Sequence, residues 1–83
     1  MTYFVYLIGS YKGNKLTTYV GYTENLKKRI SLHNKGKGAK FTRGRKWNLI
    51  YYESHRTKNK AMQREIFIRK NRKFRNLLKE KYK

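Results

Sequence analysis

Apolar residues along this chain fall into three short runs rich in aromatic and β-branched side chains, and into longer stretches where they recur every three or four residues. The first run, Tyr3 to Ile8 (YFVYLI), reads as a strand covered on both faces or nearly so. Gly9 to Leu16 (GSYKGNKL) is a turn region, and Thr17 to Tyr22 reads as a second strand. The polar connection with Gly13-Asn14 makes the pair an antiparallel hairpin, in which Tyr6 and Tyr19 are expected to face each other. Thr23, followed by Glu24, Asn25 and Leu26, has the form of a helix N-cap with a carboxylate in the first turn, and predicts a helix from about Glu24 to Asn34. Trp47 to Glu53 (WNLIYYE) is a third strand by residue type. From Lys60 a helix runs through AMQREIFIRK with Ala61, Met62, Ile66 and Ile68 on a broad apolar face, and the tail continues helical with Phe74, Leu77 and Leu78 as its packing stripe.

The predicted architecture is α/β (α+β): one small, mainly antiparallel three-stranded sheet flanked by helices, in the order β-β-α-β-α-α. Eighty-three residues suit a single domain, read here as 1–83, near the lower end of what folds unaided. With no cysteine there is neither a disulfide framework nor a cysteine-based zinc site, so the apolar core must suffice. No apolar run approaches the ~20 residues of a membrane span. The opening TYFVYLIGS lacks a basic leader and reads as a strand and not a signal peptide, which makes an intracellular protein the expectation.

Charge changes this picture most. Twenty-three Lys and Arg stand against four acids, for a formal net charge of +19. A polyanion is the expected partner, nucleic acid before an anionic membrane, because cations that displace condensed counterions from phosphates bind tightly and in a salt-dependent way. The segment KGKGAKFTRGRK, from Lys35 to Lys46, holds three glycines and six cations. It follows a helix and lacks a Gly-Lys-Ser/Thr ending, so it is not a P-loop. It reads as a flexible basic loop whose Lys35, Lys37, Lys40, Arg43, Arg45 and Lys46 track a nucleic-acid backbone, with Phe41 and Trp47 available for packing or base stacking and Trp47 assigned to the core.

Candidate chemistry gathers around Thr18 to His33. Gly21 lets another group approach the second strand closely. Leu26, Ile30 and His33 fall at i, i+4 and i+7 on the helix, with Arg29 at the edge of that stripe, so Tyr19, Arg29 and His33 can converge. Taken alone, these positions also fit two core residues, a snorkelling arginine and a surface histidine at a helix end. Glu65 sits among the apolar positions of the later helix, where a carboxylate is costly unless paired, with Arg29 or Arg69, or bound to a metal. His55, with no acid or second histidine beside it, is read as exposed and left out of the site.

The order of these residues resembles the GIY-YIG nuclease family over nearly the whole chain. Its two signature motifs are matched by Phe4-Val5-Tyr6 and Tyr19-Val20-Gly21, followed by Arg29 ten residues beyond Tyr19, His33 four further on, and Glu65 within the later helix. HNKGKGAKFTRGRKW is similar to the small single-domain bacterial members related to the nuclease domain of structure-specific endonucleases, which points to the bacterial cytoplasm. Phe4 stands where the family's first motif begins with glycine, and Asn71 and Asn76 are both candidates for an asparagine that some members use. The resemblance implies a divalent-metal-dependent DNA endonuclease, with a structure-specific role in repair or recombination open to it. Glu65 is then the ligand for Mg²⁺ or Mn²⁺, Arg29 the fork on the scissile phosphate, Tyr6 or Tyr19 the base or water-positioning group, and His33 a partner of a tyrosine or of the phosphate. The alternative from the same charge and fold is a non-catalytic module that binds DNA or structured RNA. Either leaves room for a protein partner that supplies specificity.

Overall fold

A computed structural model describes residues 1–82. Strands β1 (Tyr3–Lys12), β2 (Lys15–Thr23) and β3 (Asn48–His55) form one antiparallel sheet in the order β2-β1-β3. Helix α1 (Leu26–Asn34) follows β2, and α2 (Lys58–Lys70) and α3 (Arg72–Tyr82) follow β3. The order β-β-α-β-α-α and the antiparallel sheet are those the sequence predicts.

β1 is the central strand, and its alternation divides the core. Val5 and Leu7 point to one face, where Val20, Ala61, Ile68 and Leu78 close over them. Tyr6 and Ile8 point to the other, beneath Trp47, Tyr19, Leu26 and Ile30. All four β1 residues are buried, which is why this stretch carries no polar alternation.

Several predicted details differ. The hairpin turn narrows to Gly13-Asn14, because β1 and β2 pair out to Lys12 and Lys15. In that register Tyr6 lies opposite Gly21 and Tyr19 opposite Ile8, so the two tyrosines share a face two residues apart and do not pair. Thr23 is not the cap of α1. Its hydroxyl accepts the Asn25 amide at 3.2 Å, and the Asn25 side chain in turn accepts Lys28 N–H at 3.0 Å, so the helix starts at Leu26 and Glu24 falls outside it.

The last helix is broken at Asn71, whose side chain accepts the Phe74 amide at 3.0 Å and starts α3. The inward stripe of α2 is narrower than predicted. Ala61 and Ile68 are buried, while Met62 and Ile66 are exposed along with Phe67. The basic loop is tied rather than free: Asn34 receives Trp47 N–H at 2.6 Å and donates to Trp47 C=O at 3.1 Å, and between them runs a 3₁₀ turn at Lys40–Thr42.

Candidate active site

The tied loop and α1 bring His33 into the protein interior. His33 is 1% exposed, and both ring nitrogens are engaged. Nδ1 lies 2.9 Å from Thr42 Oγ1, and Nε2 lies 2.8 Å from the Tyr6 hydroxyl. Thr42 spends its own proton on Ala39 C=O at 3.0 Å, so toward His33 it accepts. His33 therefore carries its proton on Nδ1, and Nε2 accepts from Tyr6. The result is one directional line, Tyr6 O–H to His33 to Thr42 to Ala39.

Two glycines make room for that line. A Cβ at Gly21 would overlap the Tyr6 hydroxyl, and a Cβ at Gly38 would overlap His33 Nδ1. Tyr6 thus crosses β2 over Gly21 to reach α1, the close approach that the glycine in the second strand predicts. Tyr19 packs its ring edgewise on His33, with centroids 5.2 Å apart, and stacks on Phe41 at 6.0 Å and 22°.

The line ends in an open pocket of about 850 Å³ walled by Tyr6, Tyr19, Arg29, His33, Glu65 and Arg69. β1, β2, α1 and α2 each contribute, so residues far apart in sequence meet here. Burial pushes the Tyr6 phenol well above its ordinary range; the Arg29 guanidinium opposes that, while Tyr19 and Glu65 add to it. Burial also holds His33 below its ordinary value, with Arg29 acting in the same direction. The resting state is therefore a neutral phenol donating to a neutral imidazole, with the imidazole able to take a proton.

Glu65 presents a carboxylate that is 15% exposed and pairs with the exposed Arg69 at 3.2 Å. Among the described residues no three His, Cys, Asp or Glu stand together, so there is no closed protein cage for a metal. The donor set fits an ion such as Mg²⁺, which keeps several waters and takes one or two carboxylates together with substrate phosphate oxygens. Glu24 lines the same pocket.

The predicted basic loop divides. Arg43, Arg45 and Lys46 join Ser10 and Lys12 around a separate hollow of about 400 Å³, while Lys35, Lys37 and Lys40 are exposed beyond the main pocket. The cations on the wall of the main pocket are instead Lys28, Arg29, Lys58 and Arg69. Asn71 serves as the cap of α3, and neither it nor Asn76 lines that pocket. Thr42, Gly38 and Arg69 join the site residues that the sequence predicts. His55 is not free: it donates to Glu53 at 2.6 Å, beside the two-pronged Arg64 to Glu53 contact at 2.6 and 2.8 Å. Glu53 stands two residues earlier on β3, hence on the same face of the strand.

A family model described as the GIY-YIG catalytic domain matches residues 2–82. The chain belongs to the GIY-YIG family. GIY-YIG proteins are a nuclease family, and of the motif-like segments Phe4-Val5-Tyr6 on β1 and Tyr19-Val20-Gly21 on β2, Tyr6, Tyr19, Val20 and Gly21 line the pocket. Curated relatives include the UPF0213 protein in the ldhD 5′ region of Pediococcus acidilactici, 49% identical over 57 residues, or 65% of this chain and 58% of that protein. UPF0213 protein CPE1444 of Clostridium perfringens is 51% identical over 53 residues, 63% of this chain and 57% of that protein. The matched region thus spans under three-fifths of the length of either relative. Among solved structures, the solution structure of UPF0213 protein BH0048 from Bacillus halodurans has a TM-score of 0.55 and 34% identity, covering 99% of this GIY-YIG chain and 87% of that one. No helix among the described residues is long and apolar enough to cross a membrane.

Proposed function

We propose that this chain is a divalent-metal-dependent endonuclease that hydrolyses phosphodiester bonds in DNA. The observation that carries the reading is the buried line from Tyr6 through His33 to Thr42, opening into a pocket walled by Arg29 and Glu65. A purely structural histidine needs no phenol aimed at its lone pair beside a cation-lined cavity.

Arg29 holds the scissile phosphate as a permanently charged planar fork and offsets the charge that grows on it. Burial disfavours a standing Tyr6 phenolate, so the proton moves in a relay. As a water oxygen attacks phosphorus, its proton passes to the Tyr6 oxygen while the Tyr6 proton passes to His33 Nε2, and the bond to the leaving oxygen breaks. The leaving oxygen takes a proton from solvent. His33 finishes as imidazolium with Nδ1–H still on Thr42, and Tyr19 keeps its ring edge-on beside it. Glu65 would hold the divalent ion, which would supply Lewis-acid neutralisation of phosphate charge when bound.

Incubating the protein with single-stranded, duplex, flap and branched DNA in Mg²⁺, Mn²⁺ or EDTA tests this directly. The reading expects cleavage that EDTA, Glu65→Ala and Arg29→Ala each abolish. Salt-dependent binding without cleavage on any substrate would leave a recognition module instead.

A further inference from the structure

Phe41 is 59% exposed although its neighbours in the aromatic cluster, Tyr19 and Trp47, are wholly or partly covered. One face of its ring is covered by Tyr19, stacked at 22°, and Trp47 braces it from 6.5 Å. Phe41 also lines a groove of about 350 Å³ together with Thr18, Tyr19, Val20, Arg69 and Arg75. Tyr19, Val20 and Arg69 line the main pocket as well, so the two hollows share a wall. Phe41 also shares its 3₁₀ turn with Thr42, the residue that holds His33, and is therefore fixed relative to the proton relay.

We propose that Phe41 is a stacking platform for an unpaired DNA base adjacent to the scissile phosphate. The inference rests on the endonuclease reading for the phosphate it adjoins, but the platform itself is a binding feature. A flat apolar face flanked by two arginines, on a protein with a net charge of +19, suits a ligand that is an aromatic ring on an anionic backbone. In continuous duplex every base already has neighbours on both faces, so an exposed ring can accept one only after it leaves the stack. The substrate class is accordingly a single strand, flap, bubble or other distorted region.

The experiment uses a DNA strand with 2-aminopurine at successive positions, at low salt in EDTA so that nothing is cleaved. The strand and its duplex are compared on wild type, Phe41→Ala, Phe41→Leu and Phe41→Trp. Wild type and Phe41→Trp should quench the probe. Phe41→Ala and Phe41→Leu should lose the quench and bind the strand about tenfold more weakly, with duplex affinity unchanged. Phe41→Leu keeps an apolar side chain of similar bulk, so its loss of quench reports the aromatic ring and not a disturbed turn. Equal weakening of strand and duplex, an unchanged quench, or a quench seen with the matching RNA strand and not with DNA would each overturn the proposal. Stacking without cleavage on any substrate in metal would uphold the platform and sink the nuclease reading. Efficient cleavage with a quench indifferent to Phe41 would do the reverse.

Discussion

The Tyr6 hydroxyl lies 2.8 Å from Nε2 of His33, twenty-seven residues later, both side chains being buried at the inner end of the pocket. The contact joins the central strand of the sheet to the far end of α1. It depends on two absences: side chains at Gly21 and Gly38 would occupy the places of the phenol and the imidazole.

Gly21→Ala is therefore expected to disable the site more than the fold. Its Cβ collides with the Tyr6 ring and hydroxyl and forces the phenol away from His33. Single-turnover cleavage should fall by about 10² or more, in line with loss of a positioned acid–base group, while stability drops by about 1–3 kcal/mol from overpacking. Cleavage and thermal melting of the same preparation separate the two effects. A variant that melts lower yet cleaves at the wild-type rate contradicts this placing of the glycine.

Thr42→Val keeps the shape of a fully buried side chain but removes the acceptor for His33 Nδ1–H. An unsatisfied buried donor costs about 1–3 kcal/mol. The proton should then shift toward Nε2, where it blocks acceptance from Tyr6. Cleavage is expected to fall about 10- to 100-fold, with ¹⁵N chemical shifts of His33 showing the tautomer change, and Thr42→Ser should restore both. Unchanged shifts would remove Thr42 from the relay.

Much of this site was legible in the sequence, and what was missed has a common cause. Strand and helix spacing alone group Tyr19, Arg29 and His33, and Glu65 stands out as an acid among apolar positions. The burial of His33 was not legible, because the 3₁₀ turn carrying Thr42 folds back over it and that turn is held by the Asn34 to Trp47 hydrogen bonds across the loop. Local cap chemistry misplaced the start of α1, since Thr23 and Asn25 are both good caps and only the register of β2 decides between them. Glu53 and His55 are a different lesson. Their separation of two residues on a strand already puts them on one face, and the pair was readable by period alone.

The pH dependence follows from His33. Its folded-state pKa lies below the ordinary value of 6.5, through burial first and Arg29 second. The relay needs neutral His33, so kcat/KM should rise with pH along a limb centred below 6.5 and level off before neutrality. The same shift affects stability. Below 6.5 the unfolded chain takes up a proton that the folded chain refuses, so the contribution of neutral His33 is complete above 6.5 and is lost as pH falls through the folded value. A limb centred above 6.5 would contradict the buried neutral assignment.

Acid stability has a second source in Glu53. Hydrogen bonds from Arg64 first, then Tyr51 and His55, hold its carboxyl down to about 2 from 4.5 against the opposing effect of burial. The folded pKa is depressed, so this contribution is present above 4.5 and disappears as pH falls through about 2. Discounted for solvent screening, Glu53→Gln should cost about 1–2 kcal/mol at neutral pH. The difference from wild type should vanish near the acid end of a urea-unfolding series. A constant difference across that range would mean that the carboxylate charge is not what the variant removes.

The central claim is that the Tyr6 hydroxyl moves a proton during phosphodiester hydrolysis, and Tyr6→Phe addresses it most directly. The substitution keeps the buried ring and deletes only the oxygen that meets His33. Under single-turnover conditions with Mg²⁺ or Mn²⁺, on whichever DNA the wild type cuts best, the rate should fall by about 10²–10⁴ with DNA affinity and folding unchanged. A Tyr6→Phe protein that cleaves at the wild-type rate would contradict the account.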